Sequence, residues 1–132
     1  MASFIIEGGH SLNGMIRPQG AKNEALQIIS ATLLTREAVT VHNVPDILDV
    51  KNLIKLVGHL GVKVTQLDQE SYCFQAEELN EDFIRSDAFL KESRALRGSV
   101  LLVGPLVGRL GFTVFPKPGG DKIGRRRLDT HL

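Results

Sequence analysis

The stretch "PGGDKIGRRRLDTHL", residues 118–132, gathers two adjacent glycines, Asp121, Lys122, three arginines at 125–127, Asp129 and His131. Each residue type brings its own chemistry. Paired glycines let a backbone turn tightly or swing. An aspartate can move a proton when its surroundings raise its pKa. Arginine presents a planar fork of donors that matches two phosphate or carboxylate oxygens at once. Together they describe either a plain hairpin turn with a basic run behind it, or a mobile loop that meets a phosphorylated small molecule. Nucleic acid fits less well, because no aromatic residues interleave with the arginines and the whole chain carries a formal net charge of only +1.

A second cluster sits in "GAKNEAL", residues 20–26. Asn23 is read as the N-cap of a helix, its side chain accepting from an orphan amide. Lys22 beside it is a conflict, since a cation at a helix N-terminus opposes the macrodipole by about 0.3–1 kcal/mol. An anion lodged between Lys22 and the free amides would turn that conflict into a binding site; an exposed, tolerated lysine is the plainer alternative. Arg94 and Arg97, three apart, are read on one face near the start of a later helix, as a solvated basic face or a further anion contact. Cys73 reads as a small core residue, and His10, His42 and His59 have no metal-ligand spacing, so no metal is expected.

These groups need a scaffold, and the pattern predicts one of alternating strands and helices. "SFIIEG" and "GMIRPQ" read as short strands around the turn-rich "GHSLN". "NEALQIISATLL", residues 23–34, spreads apolar side chains around most of a helix, which must then be buried on most sides. "EAVTVHNV" alternates as a strand; Pro45 and Asp46 open a second helix with Ile47, Val50, Leu53, Ile54, Val57 and Leu60 at helical spacing, and Gly61 ends it. "VKVTQL" and "SYCFQAE" are strands around the polar "DQE". A third helix is expected from about Lys91 to Leu110, kinked at Pro105, packed through Gly104 and Gly108, and closed by Gly111 before a last strand, "FTVFPKP". The order is β β α β α β β α β, an α/β (α+β) pattern in which helix, glycine and strand recur at "LGVKVTQL" and "LGFTVFP". The run "GRRRLDTHL" reads as a helix cut at its start, so the chain is expected to be truncated, with an open edge on its last strand.

Composition adds limits rather than a function. The 132 residues, 42% hydrophobic and 23% charged, could form one ordinary globular domain. Sixteen basic against fifteen acidic side chains create no field for an anionic membrane or nucleic acid. The single cysteine excludes an internal disulfide and fits a reducing compartment. No signal peptide is visible in residues 1–20, and the longest apolar stretch, "SVLLVGPLVG", is about half of the ~20 residues a membrane-spanning helix needs, so a cytoplasmic protein is expected.

"GAKNEALQIISATLL", "VHNVPDILDV", "VGPLVGRLG" and above all "PGGDKIGRRRLDTHL" together resemble the N-terminal third of the UDP-N-acetylglucosamine 1-carboxyvinyltransferases, the enolpyruvyl transferases that open bacterial peptidoglycan synthesis. The resemblance runs over essentially the whole chain. It implies part of a two-domain inside-out α/β barrel built from repeated helix-and-strand units. Residues 1–21 would be strands of the second domain, and residues 22–132 an incomplete first domain, truncated at its C-terminus.

It also implies substrates and site residues. Phosphoenolpyruvate and UDP-N-acetylglucosamine would be the small-molecule partners, with no metal or organic cofactor, no nucleic acid and no membrane. Lys22 matches a lysine that contacts phosphoenolpyruvate, and Asn23 its neighbour on the sugar nucleotide. Arg97 matches an arginine of the nucleotide site. Arg126 matches an arginine that binds phosphoenolpyruvate and begins the uridine diphosphate segment Arg126, Arg127, Leu128, Asp129 and Thr130. Arg127 stands where the family usually has proline, and His131 matches a histidine near the same pocket. Asp121 stands where most members carry the loop cysteine, the proposed proton donor; a minority also have aspartate. An ordinary aspartate, pKa about 3.9, is protonated only about one part in a thousand at neutral pH. Asp121 is therefore expected to act as general acid only in a closed, substrate-loaded loop. Two other readings stay open: the related transferase of the shikimate pathway, and a non-catalytic anion-binding fragment.

Overall fold

A computed structural model describes residues 3–115. The first helix, α1 (Lys22–Ala31), continues through a tightened 3-10 turn at Thr32–Leu34, so the expected helix is present. Only one side of it is buried, through Ala25, Leu26, Ile29 and, beyond it, Leu33; Ile28 and Leu34 face solvent at 40% and 57% exposure. Its N-cap is Ala21, with extended backbone and no side-chain hydrogen bond, so Asn23 is not the cap but lies one residue inside the helix.

Strand β1 (Ala38–Val41) leads through a turn to α2 (Leu48–His59), which starts later than Pro45 and Asp46 implied. Val50, Leu53, Leu56 and Val57 recur every three or four residues and form its buried face. Gly61 then reverses the chain at φ +98, and a Cβ there would stand 2.9 Å from Glu78 O, so both its backbone and its neighbours require glycine. Strands β2 (Lys63–Gln66) and β3 (Tyr72–Gln75) follow as a hairpin.

The sheet order is β1-β3-β2, with β3 antiparallel to both neighbours, so β1 and β2 run parallel on either side of it. Val39, Phe74 and Val64 stand in one cross-strand row, and Phe74 is fully buried. Because side chains alternate faces along a strand, Cys73 falls in the opposite row with Thr40 and Thr65. It is half-buried there rather than a core residue.

The single third helix expected at 91–110 is broken into pieces. A short α3 (Glu81–Ile84) and then α4 (Asp87–Ala95) occupy the charged stretch, capped by Asn80 Oδ1 on the Phe83 amide and Ser86 Oγ on the Phe89 amide. The chain becomes extended at Leu96 (φ −124, ψ 115), runs as a 3-10 segment over Arg97–Leu102, and resumes as α5 (Val103–Leu110). Ser99 Oγ lies 2.8 Å from Ser93 O and 2.7 Å from Leu96 O, carbonyls that also accept the Leu96 and Ser99 amides, so its hydroxyl reinforces the break. Pro105 consequently falls in the first turn of α5, where its missing N–H costs little, and does not produce the kink. Gly104 has open space where its Cβ would be, while Gly108 lies against Leu34.

Gly111 closes α5 in the left-handed conformation, its amide donating to Val107 O at 2.8 Å. Residues 112–115 form no strand, and Phe112 instead lies under the Arg85 guanidinium at 4.0 Å. Residues 3–20 also form no strand, because no ladder partner reaches them among the described residues. Phe4, Ile5, Ile6, Leu12, Met15 and Ile16 are almost fully exposed. No helix among the described residues is long and apolar enough to cross a membrane.

Arg109 ties these layers together. Its guanidinium donates to Leu33 O at 2.8 Å, Ala76 O at 3.0 Å and Glu77 O at 3.2 Å, joining α5 to the ends of the α1 extension and β3. Arg109→Met keeps the apolar stem but strands three carbonyls, and should cost about 1–3 kcal/mol, read as a lower urea midpoint. An unchanged midpoint would mean that water replaces the guanidinium without loss.

Candidate active site

Lys22 is the first residue of α1, and a close backbone crossing sets its position. A Cβ on Gly20 would stand 1.9 Å from Asn43 O and 3.2 Å from the Pro45 ring, so only glycine lets residues 19–21 pass over this loop. Asn43 itself has φ +56, a left-handed conformation that asparagine tolerates better than most residues. The β2–β3 turn holds the loop from its other side. Val44 N donates to Glu70 O at 2.8 Å, and His42 Nδ1 lies 3.0 Å from Ser71 Oγ. The same turn holds Asp68 Oδ1, which accepts from Glu70 N at 2.8 Å. That backbone bond, followed by a bond from the Ser71 side chain, keeps the Asp68 carboxyl below its ordinary pKa.

Lys22 Nζ donates to Asp49 Oδ2 at 2.9 Å, with the two side chains 41% and 43% exposed. Asp49 lies in the first turn of α2. A carboxylate is favoured there by the helix dipole, whereas Lys22 is disfavoured at the corresponding place in α1, so the pair offsets the conflict read from "GAKNEAL". A carboxylate of the protein itself thus lies beside Lys22 in this structure. Asp46, also in the loop, pairs with Lys51, and that hydrogen bond raises the Lys51 pKa.

Asn23 is exposed one residue beyond Lys22. Arg97 opens the 3-10 segment, where Gly98 lies against Leu26: a Cβ on Gly98 would stand 3.1 Å from Leu26 Cδ1. That contact lays the Arg97 segment on α1 about one turn past Lys22 and Asn23. Arg94 and Arg97 do not share a helical face, because the extended Leu96 separates the last turn of α4 from the 3-10 segment. Asp121, Arg126, Arg127, Leu128, Asp129, Thr130 and His131 lie outside the described residues. The sequence reading missed Asp49, whose only signal was an acid near the start of a predicted helix.

An open cavity of about 510 Å³ adjoins the Gly20 crossing, with Gln19, Asn43, Asp46, Lys51, Glu70 and Tyr72 in its wall. Neither Lys22 nor Asp49 lines it. The Lys22–Asp49 pair therefore lies outside this hollow, whose own charged pair is Lys51 and Asp46.

Comparison with known proteins places the chain. Residues 6–132 match the family model described as EPSP synthase (3-phosphoshikimate 1-carboxyvinyltransferase). The chain belongs to the EPSP synthase family. Among curated members of this family, it is 67% identical over 132 residues to a UDP-N-acetylglucosamine 1-carboxyvinyltransferase of Porphyromonas gingivalis, covering 100% of this chain and 30% of that protein. It is 62% identical, with the same coverage, to the protein of that name from Bacteroides thetaiotaomicron. The crystal structure of the enolpyruvyl transferase NikO from Streptomyces tendae is similar with a TM-score of 0.54 and 26% identity, over 79% of this chain and 23% of that one. An α/β fold of enolpyruvyl transferase type agrees with the mixed helices and sheet described above. The chain spans about 30% of the length of the curated relatives it matches.

The Asp68 geometry gives a pH-dependent expectation. A carboxyl whose folded pKa is depressed contributes stability above its unfolded pKa, near 3.9, and loses that contribution as pH falls through the folded value. A carbon-13 NMR titration should find the Asp68 midpoint below 3.9, and Ser71→Ala should move it upward by removing one donor. A midpoint at or above the ordinary value would contradict the hydrogen-bonded turn.

Proposed function

We propose that this chain is the N-terminal part of an enzyme that transfers the enolpyruvyl group of phosphoenolpyruvate to the 3-hydroxyl of UDP-N-acetylglucosamine, releasing phosphate. The observation that carries the reading is the 67% identity over all 132 residues to a protein named for that activity. In the reaction the sugar hydroxyl gives up its proton and adds to the central carbon of phosphoenolpyruvate while the methylene carbon takes a proton. Loss of phosphate and of a proton from the resulting methyl then restores the double bond on the new ether. The developing charges sit on carboxylate and phosphate oxygens, so positioned cations carry much of the catalysis.

Lys22 is assigned to phosphoenolpyruvate, with Arg126. Asn23, Arg97 and the segment Arg126, Arg127, Leu128, Asp129 and Thr130 are assigned to the sugar nucleotide. The placement of Lys22 at a helix entrance supports its role, since backbone amides there favour an anion. Asp121 is assigned the proton transfer to carbon. Lys122 and Arg125, close to it in sequence, favour the charged carboxylate, whereas a closed loop and an adjacent substrate phosphate favour the acid, so the proposal ties protonation to closure.

The domain division belongs to the same proposal. Residues 1–21 join a second domain, which would cover the six apolar side chains now exposed in the N-terminal segment. The pathway is peptidoglycan synthesis and the compartment the cytoplasm, where both substrates would be met.

The test is phosphate release from phosphoenolpyruvate by the full-length protein, offered UDP-N-acetylglucosamine or shikimate 3-phosphate. Release with the sugar nucleotide alone supports the proposal; release only with shikimate 3-phosphate transfers it to the other branch. Asp121→Asn should lower turnover by about 10²–10⁴-fold, the usual contribution of a general acid, and full turnover in that variant would remove Asp121 from the chemistry. Fosfomycin, an epoxide that alkylates the loop cysteine of most members, should leave this protein active, because a carboxylate is a far weaker nucleophile than a thiolate. Time-dependent inactivation with an adduct on Asp121 by mass spectrometry would contradict that.

A further inference from the structure

Asp49 touches Lys22, the described side chain assigned to phosphoenolpyruvate, and it comes from a different helix. We infer that Asp49 is a positioning residue, which holds the Lys22 ammonium at the shared entrance of α1 and α2 for an anionic substrate. The inference rests on the proposed role of Lys22.

The geometry allows both partners at once. An ammonium has three donors, and the 2.9 Å contact to Asp49 Oδ2 takes one of them. Lys22 is still 41% exposed, so the side chain remains open to solvent and to a ligand arriving from it. Asp49 therefore has no need to be displaced when the substrate arrives. The pair is a poor candidate for a stabilising contact, because ion pairs this exposed contribute little to folding. It is a good candidate for an orienting one. Lysine is a point charge on a flexible four-carbon stem, and the amides at the start of α1 push that charge away from where it is wanted. A carboxylate fixed in the first turn of α2 counters both effects. The direction of Asp49 is in turn set by the 42–47 loop, which the Gly20 crossing locks against the entry to α1. One loop thus fixes both the base of Lys22 and the carboxylate that receives its tip.

The test uses the full-length protein, with phosphoenolpyruvate as the probe and Asp49→Asn and Asp49→Glu as variants. Binding is read by calorimetry, and the transfer reaction by KM and kcat. Asp49→Asn should weaken phosphoenolpyruvate binding and raise its KM about tenfold, as for outer partners that orient a ligand-binding side chain, with a smaller change in kcat. Asp49→Glu should recover most of that loss, and the urea midpoint should stay put. Equal or tighter binding by Asp49→Asn would mean that the carboxylate merely competes with substrate, and would overturn the inference. So would a fall in kcat with binding unchanged, or an equal loss in both variants with a lowered midpoint. If the unsubstituted protein binds phosphoenolpyruvate but transfers nothing to UDP-N-acetylglucosamine, the proposed reaction fails while Asp49 is still decided by the binding measurements. No binding at all by the unsubstituted protein overturns both.

Discussion

The close passage of the Gly20 backbone over the Asn43 carbonyl is the constraint on which the described site depends. With a Cβ placed only 1.9 Å from that oxygen, no side chain fits without moving one of the two strands of chain. The crossing has effects in both directions. On one side it fixes where the chain enters α1, whose first amides have no side-chain cap. On the other it presses on a loop already holding a left-handed asparagine, which the β2–β3 turn supports through Val44 and His42. Two helix entrances and a hairpin turn are thereby brought to one place, and the polar chemistry collects there.

What was legible in the sequence follows from the range of the signal. Period and punctuation are local, and they revealed α1, α2 and all three strands of the sheet, as well as the glycines that end α2 and α5. The third helix failed because its apolar spacing survives a break: the extended Leu96 lets one apolar series pass from α4 into the 3-10 segment and α5 without interruption. Asn80 and Ser86 were legible as caps, and reading them would have moved the helix start upstream and shortened the loop before it. The strands expected before Gly20 and after Gly111 have the right composition, but a strand exists only when another backbone accepts its hydrogen bonds. The Lys22–Asp49 pair spans 27 residues, and no local pattern encodes it. Sequence pointed to a charge conflict at Lys22, and only the tertiary arrangement showed what answers it.

The family assignment and the geometry bear on different questions. Identity over the full chain establishes the lineage and the class of fold. The geometry shows where the Lys22 cation sits: α1 carries it, Asp49 of α2 pairs with it, and a loop lies between the two. The large apolar core, with Phe74, Phe89, Leu53 and Leu102 fully buried, makes this arrangement rigid away from the surface while its polar ends stay accessible.

Arg109 reaches Leu33 across 76 residues and Ala76 across 33, so one side chain closes two long loops. During synthesis both acceptor segments leave the ribosome well before the arginine does. The bonds that tie the first helix and the sheet through this side chain can form only once α5 has been made. Contacts formed after the rate-limiting step of folding slow the reverse reaction rather than speed the forward one. A clasp that closes late in folding lengthens the lifetime of the assembled layers more than it hastens their assembly.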